Sequence, residues 1–160
     1  MCSSDLLVIL GTIGSLERMD STVLGLTVNL AKRLEELTRP LGVEMLISDQ
    51  VADRLSNGHV HKLRNLGEVL VKGSSEPIAI IEVYDQDPPE VQNLKDQIKP
   101  IISEGMDLFK KGNLAESLSK LQEAQSIFPK DPPLHLLITS LKQILDRRNT
   151  GEGTVLLDFR

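Results

Sequence analysis

Asn29 and Arg33 lie four residues apart in TVNLAKRL, a stretch whose leucines recur at helical spacing. On a helix that interval puts both side chains on one face. A neutral amide beside a guanidinium can orient a sugar and hold a phosphate as negative charge builds on it. Lys32, Glu35 and Glu36 on the same stretch read as solvated charge. His59 and His61 stand two apart, so they share a strand face, but no third His, Cys or suitable carboxylate is evident nearby. They read as ordinary strand residues rather than half of a metal site.

The elements that must position these groups follow from the pattern of apolar residues. Residues 6–10 form a short apolar run of β type that meets Gly11, and residues 21–24 read as a second short strand. Leu26, Leu30, Leu34 and Leu37 predict a helix over 26–38, stopped by Pro40 and Gly42. Residues 43–48 read as a strand. Ser48 or Asp49 then caps a short helix that reaches Leu55 and ends at Asn57 and Gly58. Residues 60–66 and 68–72 read as strand with a bulge at Gly67, residues 73–76 as a turn, and residues 77–84 as the last strand.

The six residues DQDPPE, 85–90, mark a linker, and the period is helical beyond it. Helices are expected over 89–111, with a kink or break at Pro100, over 114–128 and over 133–147. The tail, 148–160, contains Gly151 and Gly153 and is expected to be disordered or weakly docked. The change of period across the linker predicts a helical unit, 91–147, that folds separately from what precedes it.

Composition excludes several classes of function. With 160 residues there is room for one medium domain or two small ones. A net charge of −5 and 2% aromatics, with no Trp, leave neither a basic footprint nor stacking platforms for nucleic acid. No apolar run is long enough to span a membrane. The single cysteine, Cys2, excludes an internal disulfide framework and fits a reducing, cytoplasmic setting. Residues 1–6, MCSSDL, back-translate to a string resembling the end of a sequencing-adapter oligonucleotide. They are read as an artefact, with the natural protein continuing upstream.

Residues 11–34, GTIGSLERMDSTVLGLTVNLAKRL, closely resemble the second half of the class III nucleotide cyclase domain. Its signature runs roughly G-N-x-G-S-x-x-R-x-x-[YF]-T-x-x-G-[DN]-x-V-N-x-A-x-R-L. Gly11, Ile13, Gly14, Ser15, Arg18, Thr22, Gly25, Val28, Asn29, Ala31, Arg33 and Leu34 fall on it. The resemblance implies an α+β fold over 7–84, the C-terminal half of a ferredoxin-like cyclase domain, followed by an all-α hairpin with a capping helix. It implies that Asn29 orients the ribose and that Arg33 meets the α-phosphate in the transition state. Thr22 falls where adenylate cyclases commonly carry the aspartate that accepts from the adenine amino group. A hydroxyl can also accept that bond. Lys72, in VLVKG, falls where a family lysine reaches the β- and γ-phosphates. Leu26 departs from the family's usual Asp or Asn.

The family's paired metal aspartates belong to its first half, and Asp5 and Asp20 lack the flanking sequence to replace them. The resemblance therefore implies Mg²⁺ or Mn²⁺ in the parent protein, no metal ligands here, ATP as substrate, a head-to-tail homodimer, and no turnover by this piece alone. A guanylate cyclase and a degenerate, non-catalytic interaction module are the alternatives. Among the helices, Gly105, Gly112, Ala124, Pro129 and Leu121 fall where a tetratricopeptide repeat places its small, closing and large apolar residues, whereas Glu104 and Ser117 depart from it. A single repeat cannot cover its own apolar face, so the third helix is expected to cap it, and the module could recruit a protein partner.

Overall fold

The computed structural model describes residues 9–15, 18–24, 26–55, 61–69 and 77–150, with side chains over 27–55, 61–69 and 77–147. The chain is α+β. β1 (Ile9–Ser15) and β2 (Arg18–Leu24) form an antiparallel hairpin in which Ser15 faces Arg18. α1 (Leu26–Leu41) follows. β3 (Leu46–Ser48), β4 (Leu63–Val69) and β5 (Ile78–Val83) make a separate antiparallel sheet, with β5 in the middle, and α2 (Asp49–Leu55) crosses between β3 and β4. α3 (Pro89–Lys110), α4 (Leu114–Ile127) and α5 (Pro132–Thr150) complete it.

Several ends are set by local chemistry. α1 runs through Pro40 to Leu41, past its expected end, because a proline in the last turn removes only one donor. Gly42, at φ +61°, then closes it. Gly42 N–H donates to the Arg39 carbonyl at 3.1 Å and Val43 N–H to that of Thr38 at 3.0 Å, the paired bonds of a Schellman motif. Gly112, at φ +82°, closes α3 in the same way through the Phe109 and Leu108 carbonyls. Ser48 caps α2, its Oγ accepting Val51 N–H at 3.4 Å. The expected bulge lies between Asn65 and Gly67, with Gly67 at φ +121° and its N–H donating to Asn65 Oδ1 at 2.7 Å. β3 is shorter than the expected strand, and α5 runs three residues beyond the expected end of its helix. α3 neither breaks nor stops at Pro100 and is one helix of 22 residues.

One core joins everything from α1 onward. Leu34, Leu37 and Leu41 of α1 share it with Leu66 and Val69 of β4, Ile80 of β5, Ile98 and Ile102 of α3, Leu121 and Ala124 of α4, and Leu134, Leu137, Ile138 and Leu141 of α5. Burial of these side chains stabilises the fold by about 1.5–3 kcal/mol each. α3 crosses α4 where Gly105 leaves room for Leu121: a Cβ on that glycine would lie 3.1 Å from Leu121 Cδ2. The three helices share this core with the elements before the linker. Their apolar faces are completed by α1 and the sheet.

Candidate functional site

α1 carries Asn29 and Arg33 on one side and the core residues on another. Asn29 is exposed, and the Arg33 side chain is 35% exposed. Arg33 Nη1 lies 3.7 Å from Glu36 Oε2, and Lys32 Nζ lies 3.8 Å from Glu36 Oε1. These are loose surface pairs that hold little energy, so the guanidinium is available to an anion. Glu36 is thus shared between two cations rather than simply solvated. Thr22 sits in β2 opposite Gly11 in the register. Its side chain, Lys72, His59, Cys2, Asp5 and the tail after Thr150 lie outside the described residues. The structure therefore brings Asn29 and Arg33 together and leaves their relation to Thr22 and Lys72 to sequence.

An open groove of about 700 Å³ runs along α1, but on roughly the opposite side from Asn29 and Arg33. Leu30 and Leu34 of α1, Met45 and Leu46 near the edge strand β3, and Val51 of α2 line it. Met45, Val51 and Leu55 are exposed apolar side chains close by. Its lining is mainly apolar, so the groove does not serve the polar pair.

A group of buried charges went unread in the sequence. Arg64 and Glu82 face each other across β4 and β5, each about 2% exposed or less, and Arg64 Nε donates to Glu82 Oε2. Arg64 Nη2 donates to Asp131 Oδ1 at 2.7 Å. Lys95 Nζ donates to Glu82 Oε1 at 2.7 Å, pairs with Asp87, and stands 5.5 Å from the centre of the Tyr84 ring. Burial by itself would lower the Arg64 pKa, but the bond to Asp131 and the charges of Glu82 and Asp131 outweigh it and raise it. Removing one partner from such a set leaves a buried charge unpaired, at about 3–5 kcal/mol. The signal was present in alternation: Glu82 falls between Ile80 and Tyr84 on the buried face of β5, a charge where an apolar residue is expected.

At the edge of this group, Asp85 Oδ1 accepts Lys62 N–H at 2.7 Å and Asp85 Oδ2 meets His61 Nδ1 at 2.8 Å. A carboxylate does therefore stand beside His61, brought there by the end of β5. The Lys62 amide and then His61 hold the Asp85 carboxyl below its ordinary value. Asp96 is lowered by Lys62 Nζ and by the Tyr84 hydroxyl, which donates at 2.7 Å. Among the described residues no three His, Cys, Asp or Glu side chains are grouped to hold a metal ion. No step through a metal is derived from them.

No protein-family model matches the chain. It is 44% identical over 77 residues to an adenylate cyclase of Anabaena cylindrica, covering 48% of this chain and 15% of that protein. It is 36% identical over 75 residues to adenylate cyclase 1 of Rhizobium meliloti, covering 47% of this chain and 11% of that protein. It is 35% identical over 131 residues to the terminal-differentiation-specific adenylate cyclase of Dictyostelium discoideum, 81% of this chain and 6% of that protein. These likenesses support a cyclase family. The chain spans only 6% to 15% of the length of these relatives. A match of 131 of the 160 residues has to cross residues 85–90 into the helices, so the likeness to the Dictyostelium protein is not confined to the strands. The relatives' sources do not single out a bacterial origin. No helix among the described residues is long and apolar enough to cross a membrane.

Proposed function

We propose that this chain is part of a cytoplasmic class III adenylate cyclase and supplies the ribose- and phosphate-facing side of its site. The observation that carries this is the pair formed by the exposed Asn29 and the half-buried Arg33, one helical turn apart, within a run of family signature residues. Asn29 orients the ribose so that its 3′-hydroxyl faces the α-phosphorus. Arg33 donates to the α-phosphate as charge builds there, and Lys72 neutralises the β- and γ-phosphates of the departing pyrophosphate. Thr22 accepts from the adenine amino group and, because a hydroxyl can also donate, rejects guanine less firmly than an aspartate would. Two divalent ions, Mg²⁺ or Mn²⁺, would be held by aspartates of the partner domain in a head-to-tail homodimer and would activate the 3′-hydroxyl, and the helices offer a surface of tetratricopeptide type to a protein partner.

The test is kinetic. In the longer parent protein, Arg33→Ala should lower kcat for cyclic AMP formation by about 10²-fold or more, and Asn29→Ala should lower kcat more than it raises KM. A change in KM alone would assign both side chains to ground-state binding. The 160-residue chain by itself, with ATP and Mn²⁺, should give no cyclic AMP above blank. A parent that prefers GTP would overturn the adenylate assignment.

A further inference from the structure

Two consecutive residues, Asp131 and Pro132, touch both β4 and the end of α1, the helix that carries Asn29 and Arg33. Asp131 is fully buried. Its Oδ2 caps α5 by accepting Leu134 N–H at 3.1 Å, while its Oδ1 accepts Arg64 Nη2 at 2.7 Å. Arg64 is on β4. Pro132 lies against Gly42, the residue that closes α1: a Cβ on Gly42 would come within 2.9 Å of Pro132 Cβ. α1 is the helix of Asn29 and Arg33. The start of α5 is thus wedged between the end of α1 and the beginning of β4.

We propose that this Asp131–Pro132 turn is a positioning clamp that sets α1 against β4, so that the docking of α5 governs where α1 holds Asn29 and Arg33 against a triphosphate. The proposal rests on the cyclase reading for its effect on turnover, though not for the clamp itself. Its physical basis is the geometric tolerance of phosphoryl chemistry, where a displacement of about 1 Å can cost on the order of 10²-fold in rate. Close packing transmits the shift, because neither contact has slack: Gly42 has no side chain to give way, and the Arg64–Asp131 bond is buried. Asp131 and Pro132 are positioning residues, remote from the reacting atoms.

Asp131→Asn separates the two duties of the carboxylate, since asparagine still caps a helix but no longer offers Arg64 a charge. In the parent protein this variant should lower kcat about 10-fold or more while KM for ATP stays within about 2-fold. In the 160-residue chain, amide hydrogen exchange should speed up at residues 38–43 and 63–69 relative to α4. Arg64→Lys, which keeps the charge and loses the fork, serves if the first variant does not fold. Uniform acceleration across all helices, or an unchanged kcat in an active parent, would overturn the clamp. If the wild-type parent makes no cyclic AMP, the nucleotide reading fails, and the exchange pattern then decides whether the clamp exists.

Discussion

At the scale of single residues, the charges that matter most to the fold are those hardest to read in the sequence. Arg64, Glu82, Lys95 and Asp131 are residue types that are almost never buried unless paired, and each finds its partner through the fold. Arg64 and Asp131 are 67 positions apart, beyond any periodicity argument. By contrast Asn29 and Arg33 were legible because their spacing alone fixes a common face. Two predictions belong here. Ser117 is fully buried and its Oγ has no hydrogen-bond partner among the described residues. Ser117→Ala should therefore leave stability unchanged or raise it by up to about 1 kcal/mol, measured by urea unfolding. Asp85 has a folded pKa below its ordinary value, so its contribution is present above that value and is lost as pH falls through the folded one. Asp85→Asn should lower the urea midpoint at pH 7, and the gap from wild type should close as pH falls through the folded value, below the ordinary carboxylate range. A gap that persists in acid would mean that the bonds of Asp85 do not depend on its charge.

At the scale of elements, local chemistry was legible and tertiary support was not. The Gly67 bulge, the Ser48 cap and the stop at Gly42 are where backbone rules put them, because each depends on one or two residues. Pro100 shows the limit: a rule about one donor predicts a kink or a break, yet the helix is unbroken, its buried face from Lys95 through Ile98 and Ile102 to Gly105 held by the core. Gly42 is under two constraints, a left-handed backbone and the approach of Pro132. Gly42→Ala should destabilise by about 1–2 kcal/mol from the backbone alone, with more from the contact. Gly112 has the same backbone sign but nothing within 4 Å of a Cβ, so Gly112→Ala should cost less. Thermal melts of the two variants side by side would separate strain from crowding. Equal losses would show that Pro132 exerts no pressure on α1.

At the scale of the whole molecule, the change of period at residues 85–90 suggests two units, whereas the core is continuous across it. Period reports only which face of an element is apolar. It does not say against what that face is laid, which is why the division seemed clean in one dimension. Residues 88–160 expressed alone should melt below the full chain and less cooperatively by circular dichroism, since Lys95 and Asp131 lose their partners and α5 loses α1. An equal midpoint would show that the helices fold as a separable unit. The 67-residue span between Arg64 and Asp131 also has a meaning in time. During synthesis β4 is made roughly 3 to 13 s before the carboxylate that receives its arginine. Throughout that interval the nascent strands hold a guanidinium that has at most Glu82, and not yet its second carboxylate, on the face that must become their interior. The sheet can therefore be completed only late, and the final helices of the chain decide when the earlier strands finish folding.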